Sequence, residues 1–158
     1  MDYPFVPKSS KALVPGQFWS VPMSDGRFAC GRVLELGGQE IPTPTRGFFG
    51  GLHDWVGTAP PNPNTQLGPR FIKYGIMHIR AILESGGALL GMRPLEADGI
   101  ELPRFLSAHG GPGTKILCGA SHIRDARPDE WGTLPVLGFW GTDFIVSLAN
   151  HHLIAKVA

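Results

Sequence analysis

Residues 16–36 read Gly16-Gln17-Phe18-Trp19-Ser20-Val21-Pro22-Met23-Ser24-Asp25-Gly26-Arg27-Phe28-Ala29-Cys30-Gly31-Arg32-Val33-Leu34-Glu35-Leu36. Two apolar-rich runs, 17–22 and 28–36, flank the polar tetrad Ser24-Asp25-Gly26-Arg27. Asp-Gly between such runs is a strong hairpin signal, because a two-residue hairpin turn needs positive φ at its centre. With Asp25 and Gly26 as the turn, Ser24 faces Arg27, Met23 faces Phe28, Val21 faces Cys30 and Trp19 faces Arg32. One face then carries Trp19, Val21, Met23, Phe28, Cys30 and Leu34, and is the expected core. The other carries Phe18, Ser20, Ala29, Gly31, Val33 and Glu35. Arg32 interrupts the core face. It either stacks on the Trp19 indole or marks where that face reaches solvent.

The composition around this hairpin points the same way. The chain has 158 residues, the length of one domain, with 42% apolar and 17% charged residues. That excludes a highly charged disordered chain and a coiled coil. Glycine (22) and proline (15) are about twice as frequent as usual, so the chain cannot be mostly helical. The formal charge of +1 supplies no field for sequence-independent binding of nucleic acid. Cys30 and Cys118 lie in apolar runs and read as two buried thiols in a reducing compartment, with a disulfide left open by their spacing. Residues 1–11 lack the apolar stretch of a signal peptide, and no run approaches a membrane span, so a cytoplasmic protein is expected.

Residues 1–15 read as an extended arm of a single domain spanning 1–158. Residues 37–45 form a loop, and 58–69, with Pro60, Pro61, Pro63 and Pro69, a long extended one. Residues 70–76 suit a strand. Residues 77–85 suit a short helix, with Ile79, Ile82 and Leu83 on one face and Gly86-Gly87 as its stop, or else a continuation of that strand. Residues 88–92, 115–120 and 135–140 suit strands, the last of them buried. Residues 93–113 read as mixed loop and 121–132 as an exposed polar one. Thr142-Asp143 is placed to cap a terminal helix with Phe144, Ile145, Leu148 and His152 on one face. The sum is an α+β fold: a small curved, mostly antiparallel sheet or partial barrel with one or two short helices and long loops.

The search for chemistry returns little. His53-Asp54 and His151-His152 are the closest histidine groupings, and neither has metal-ligand spacing. No metal and no cofactor is therefore expected. Ser121-His122 beyond Cys118 is the most suggestive nucleophile arrangement, yet such partners converge in space rather than in sequence. Gly110-Gly111-Pro112-Gly113-Thr114-Lys115 lacks the spacing of a phosphate loop. Residues 46–51 partly match an RNA-recognition octamer, with the aromatics misplaced. With no catalytic constellation, the expectation is a binding protein, not an enzyme.

Residues 16–34 resemble the opening hairpin of the immunity protein 26 family: a glycine, a strand ending near proline, a tight polar turn, then an aromatic, a glycine and an apolar strand. Residues 76–91, with a short helical stretch, Gly-Gly and Leu-Leu-Gly, resemble the family's middle section more loosely. The resemblance implies a cytoplasmic α+β protein of bacterial polymorphic toxin systems. Such a protein binds and neutralises a cognate toxin, commonly a nuclease. No catalytic residues carry over.

Two segments have the composition of a protein-binding patch. Arg46, Phe48, Phe49, His53, Asp54 and Trp55 combine aromatics and charge beside the Pro-rich loop. Asp125, Asp129, Glu130 and Trp131 form an acidic aromatic segment suited to a basic partner. The alternative reading is a small β-barrel nucleic-acid-binding module, with Phe48, Phe49 and Trp55 stacking on bases and Arg46 or Arg32 reaching phosphate.

Overall fold

The hairpin forms with a register one residue away from that expected. In the structure, a computed structural model describing residues 13–42, 45–86 and 89–157, β1 (Gln17–Pro22) pairs antiparallel with β2 (Phe28–Glu35). Most of the expected arm over residues 1–15, and Gly87 of the expected helix stop, lie outside the described residues. The Gly26 N–H donates to the Met23 carbonyl at 3.1 Å, and the Met23 N–H to the Arg27 carbonyl at 2.9 Å. Gly26 has φ +84°. This is a three-residue loop: a type I turn over Ser24 and Asp25, then a left-handed glycine.

The expected two-residue turn is therefore corrected. Trp19 pairs with Gly31 and Phe18 with Arg32. A one-residue slip moves a whole strand to the opposite face. Trp19 and Val21 share their face with Ala29, Gly31 and Val33, and Phe18 shares the other with Cys30, Arg32 and Leu34. A methyl group on Gly31 would overlap the Trp19 indole, so this cross-strand pair needs glycine.

The remaining strands are β3 (Gly47–Gly57), β4 (Phe71–His78), β5 (Leu89–Met92), β6 (Arg104–Leu106), β7 (Lys115–Cys118) and β8 (Ser121–Asp125). They form a five-stranded sheet of order β4-β3-β2-β1-β5 and a three-stranded sheet β6-β7-β8, with antiparallel pairing throughout the named strands. Bulges in the larger sheet, at Leu52/His53 among other places, bend it. Neither sheet closes into a barrel. The helices are α1 (Arg80–Glu84) and α2 (Phe144–Leu153). The fold is thus the small, mostly antiparallel α+β type. Residues 121–132 are not all loop, since they contain β8. The expected buried strand at 135–140 makes only isolated parallel bridges, and Phe139 on it is 58% exposed. No helix among the described residues is long and apolar enough to cross a membrane.

Both faces of the larger sheet are covered. On one, Trp19, Val33, Phe48 and Leu52 pack against Ala81 and Ile82 of α1 and Ile145, Leu148 and Ala149 of α2. The buried stripe of α2 is Ile145, Leu148, Ala149 and Leu153, whereas Phe144 and His152, expected on it, are exposed. Asp143 stands at the N-cap with no side-chain cap bond. On the other face, Leu34, Phe49 and Ile76 meet Phe105, Leu117 and Leu137 beside the small sheet. Further along, Phe18 and Cys30 meet Leu67 of the Pro-rich loop. Three layers result, which is why β2 is buried almost along its whole length.

Arg32 sits inside this second interface, fully buried and off the Trp19 face. Its guanidinium lies 5.9 Å from the Phe18 ring centroid and donates to Asp98 Oδ2 at 2.8 Å and to the Arg93 carbonyl at 2.9 Å. Arg93 donates two further hydrogen bonds to Asp98, each 3.1 Å. Burial disfavours the Asp98 carboxylate, but the hydrogen bonds and charges of the two arginines outweigh it and hold the carboxyl below its ordinary range. His53, also fully buried, lies 3.4 Å from the guanidinium through Nε2 and stacks on Phe71 at 4.2 Å between centroids. Burial, then the Arg32 charge, push its pKa down to about 3, so the imidazole is neutral. Burial likewise pushes the Cys30 thiol up, which keeps it protonated and inert.

Candidate protein-binding site

Residues 135–140 run between the two sheets and bond to each in turn. Leu106 of β6 donates to the Pro135 carbonyl at 2.9 Å, and Leu137 donates back to Leu106 at 3.1 Å. Ile76 of β4 then donates to the Gly138 carbonyl at 2.9 Å, and Trp140 donates to the Ile76 carbonyl at 2.8 Å. Extended chain alternates its side chains. Leu137 and Phe139, two residues apart, would share a side in one regular strand, but the segment changes sheet at Gly138, and Leu137 is buried while Phe139 is exposed.

Where the segment crosses from one sheet to the other, a groove of about 520 Å³ opens. Its aromatic lining comes from Tyr74, Phe105, Phe139, Trp140 and Phe144. Trp140 lies flat over Gly75, where any side chain would collide with the indole, and it contacts Phe144 at 5.2 Å between centroids. Tyr74 is fixed by Phe71 at 4.9 Å and Phe49 at 6.0 Å. On the far side of Phe139 and Trp140 a smaller cleft of about 170 Å³ is floored by Ile76 and Met77. Phe139 is thus a ridge between two apolar depressions. Exposed Lys73 stands at the groove's rim, with no ion pair among the described residues. Large aromatics held exposed by a rigid frame are what a protein partner buries.

The residues picked from sequence are placed differently. Phe48 and Phe49 follow one another on β3 and point to opposite faces, Phe48 edge-on to Trp19 at 5.7 Å and Phe49 into the other interface. Both are fully buried, as is His53. These three are corrected from surface contacts to core, and with them the base-stacking platform they were to form with Trp55. Trp55 is half-buried against Phe18 and Cys30, and Asp54 pairs with Lys156 at 3.2 Å. Arg46 is exposed, and its carbonyl accepts from the Ile79 N–H at 2.8 Å.

The second segment is exposed, but its acidity is compensated. Asp125 pairs with Lys115, Asp129 with Arg127 at 3.3 Å, and Glu130 accepts both ends of the Arg124 fork at 2.6 and 2.7 Å. The Arg124 hydrogen bonds, with one from the Arg127 backbone, push the Glu130 pKa down to about 2. Three acids thus meet three cations. Trp131 is half-buried against Gly110.

Among the described residues no three His, Cys, Asp or Glu side chains converge as metal ligands. Cys118 and His122 do not form a pair: His122 Nε2 bonds Glu40 at 2.6 Å, and Cys118 faces the Leu102 carbonyl. Residues 110–115 close the β6–β7 hairpin, with Thr114 Oγ1 donating to the Gly111 carbonyl at 2.8 Å. Neither the family models, the curated proteins nor the solved structures contain a match to this chain.

Sequence reasoning missed the groove because it read 135–140 as one buried strand. The usable signal was the pair Phe139-Trp140. Adjacent residues of extended chain cannot both face one core, so one of the two aromatics had to turn outward.

Proposed function

We propose that this chain is a non-enzymatic immunity protein that binds and neutralises a cognate toxin domain in the bacterial cytoplasm, with the aromatic groove as its contact face. The observation that carries the binding role is Phe139, 58% exposed on a ridge flanked by two apolar depressions. The toxin assignment follows the resemblance of residues 16–34. The mechanism is occlusion: Phe139 and Trp140 anchor in the toxin surface, and the rigid sheet behind them blocks access to its active site. Co-expression with the toxin encoded beside this gene is expected to restore growth, and the two proteins are expected to co-purify. Phe139→Asp is expected to weaken the complex by about 30-fold or more, the scale of a lost hot-spot aromatic. Absence of both rescue and co-purification overturns the proposal.

A further inference from the structure

The groove contains more than apolar surface. β4 is the edge strand of the larger sheet, and residues 138–140 cover only part of that edge. The N–H and C=O of Ile76 point away from β3 and are taken by Gly138 and Trp140. In an antiparallel pair these directions alternate residue by residue. Tyr74, two residues back and opposite Gly51, therefore turns its own N–H and C=O to the same outer side. There the covering segment has already swung away, since Leu137 donates to Leu106 of the small sheet. No described residue pairs with the Tyr74 backbone on that side. The open donor and acceptor lie in the wall of the groove, between the aromatic lining and the ammonium of Lys73, which has no ion pair among the described residues.

We propose that this groove recognises its partner by strand addition, taking an extended peptide segment of another protein onto the Tyr74 edge of β4. Every second side chain of such a segment points the same way. An apolar residue then enters the space between Phe105, Phe139 and Trp140, while a neighbouring carboxylate meets Lys73. Backbone pairing with Tyr74 supplies affinity, and the pocket and the cation supply selectivity. The occupant is thus an extended, apolar segment carrying an acidic residue. This inference rests on the reading of the groove as a protein-binding face, though not on the partner's being a toxin.

The test selects heptapeptides from a random phage-displayed library on the whole protein, then synthesises the best binder with each backbone amide N-methylated in turn. Selected sequences are expected to alternate apolar residues and to carry Asp or Glu. N-methylation is expected to cost tenfold or more at alternate amides and little at those between. Hydrogen exchange at the Tyr74 amide is expected to slow on binding, and Lys73→Glu to turn selection toward basic peptides. No enrichment over bare support overturns the inference. Equal indifference to N-methylation at every position, or undiminished binding to Phe139→Asp, also overturns it. Self-association in sedimentation that Phe139→Asp abolishes would seat a second copy of this chain in the groove, and likewise overturns it. Peptide selection with no rescue from the neighbouring toxin would remove the immunity reading alone. Rescue without peptide selection would remove strand addition alone.

Discussion

At the scale of the residue, His53 is the most informative position. Sequence offered it as a surface contact beside Asp54, and the fold buries it behind a polar cluster of Arg32, Arg93 and Asp98. Two guanidinium groups already share one carboxylate there, and a third positive charge would have no counterion. The ring therefore stays neutral down to about pH 3, held so by burial and then by Arg32. Unfolded, a histidine protonates near pH 6.5. Between those values the unfolded state binds more protons, so stability is lost as the pH falls through that window. The loss is about 1.4 kcal/mol per pH unit at its steepest. Asp98 acts in the same direction below about pH 4, because its folded carboxyl is held under the ordinary value. His53→Phe keeps a ring against Phe71 and removes the histidine's titration together with its 3.4 Å contact to the Arg32 guanidinium, a loss that is the same at every pH from 6 to 4. Urea unfolding of the two proteins from pH 6 to 4 is expected to give a shallower slope for the variant. Parallel slopes would show that His53 is protonated in the folded protein.

At the scale of the element, the hairpin shows what was legible and what was not. Strand positions, the turn and the antiparallel partner all follow from Gln17–Pro22, Asp25-Gly26 and Phe28–Glu35. The register does not, because Asp-Gly serves both a two-residue turn and the last two positions of a three-residue loop. Polarity normally arbitrates, but here helices cover one face and the small sheet and Pro-rich loop cover the other. With both faces buried, either register gives an apolar face. The same cause hid β3. Its glycines and aromatics suggested surface, and only the layers on both sides explain why Phe48 and Phe49 are core. The observed loop makes a prediction that the two-residue turn does not. Gly26 alone is left-handed, at φ +84°, with nothing within 4 Å of where a side chain would start. Gly26→Ala is then expected to cost only the backbone penalty, about 1–2 kcal/mol, and Gly26→Asn less. Asp25→Gly is expected to destabilise, since the Asp25 carboxylate accepts the Arg27 N–H and no positive φ is relieved. Chemical denaturation of the three variants checks the order.

At the scale of the whole molecule, the hairpin turn and α2 are one assembly, although more than a hundred residues separate them in sequence. Arg27, the residue after the turn, donates through its guanidinium to the carbonyls of Ile154 at 2.7 Å and Leu153 at 3.3 Å, and to that of Lys156. The Leu153 and Ile154 carbonyls belong to the helix C-terminus, where intrahelical donors run out, although Leu153 also accepts from the Lys156 N–H at 3.0 Å, and the Lys156 carbonyl lies just beyond the helix. A cation there also meets the negative end of the helix dipole. Ser24 donates to Asn150 Oδ1 from both its N–H and its hydroxyl, at 2.9 and 3.0 Å. The turn therefore caps and orients the helix that closes one face of the sheet. That helix begins at Phe144, which lies at 5.2 Å from Trp140 in the groove wall. No local pattern in the sequence pairs Arg27 with carbonyls so distant, because backbone acceptors carry no side-chain signature. Arg27→Ala removes several charge-assisted hydrogen bonds, each of the kind worth about 1.5–3 kcal/mol. Much of this is regained as water reaches the exposed helix end, so a net loss of about 1–3 kcal/mol is expected. Its distribution is the sharper test. Hydrogen exchange is expected to quicken through α2, most in its last turn, while amides of β2 and β3 keep their protection. Uniform quickening across the sheet and the helix would mean that α2 cannot loosen by itself, and that the two layers unfold as a single cooperative unit.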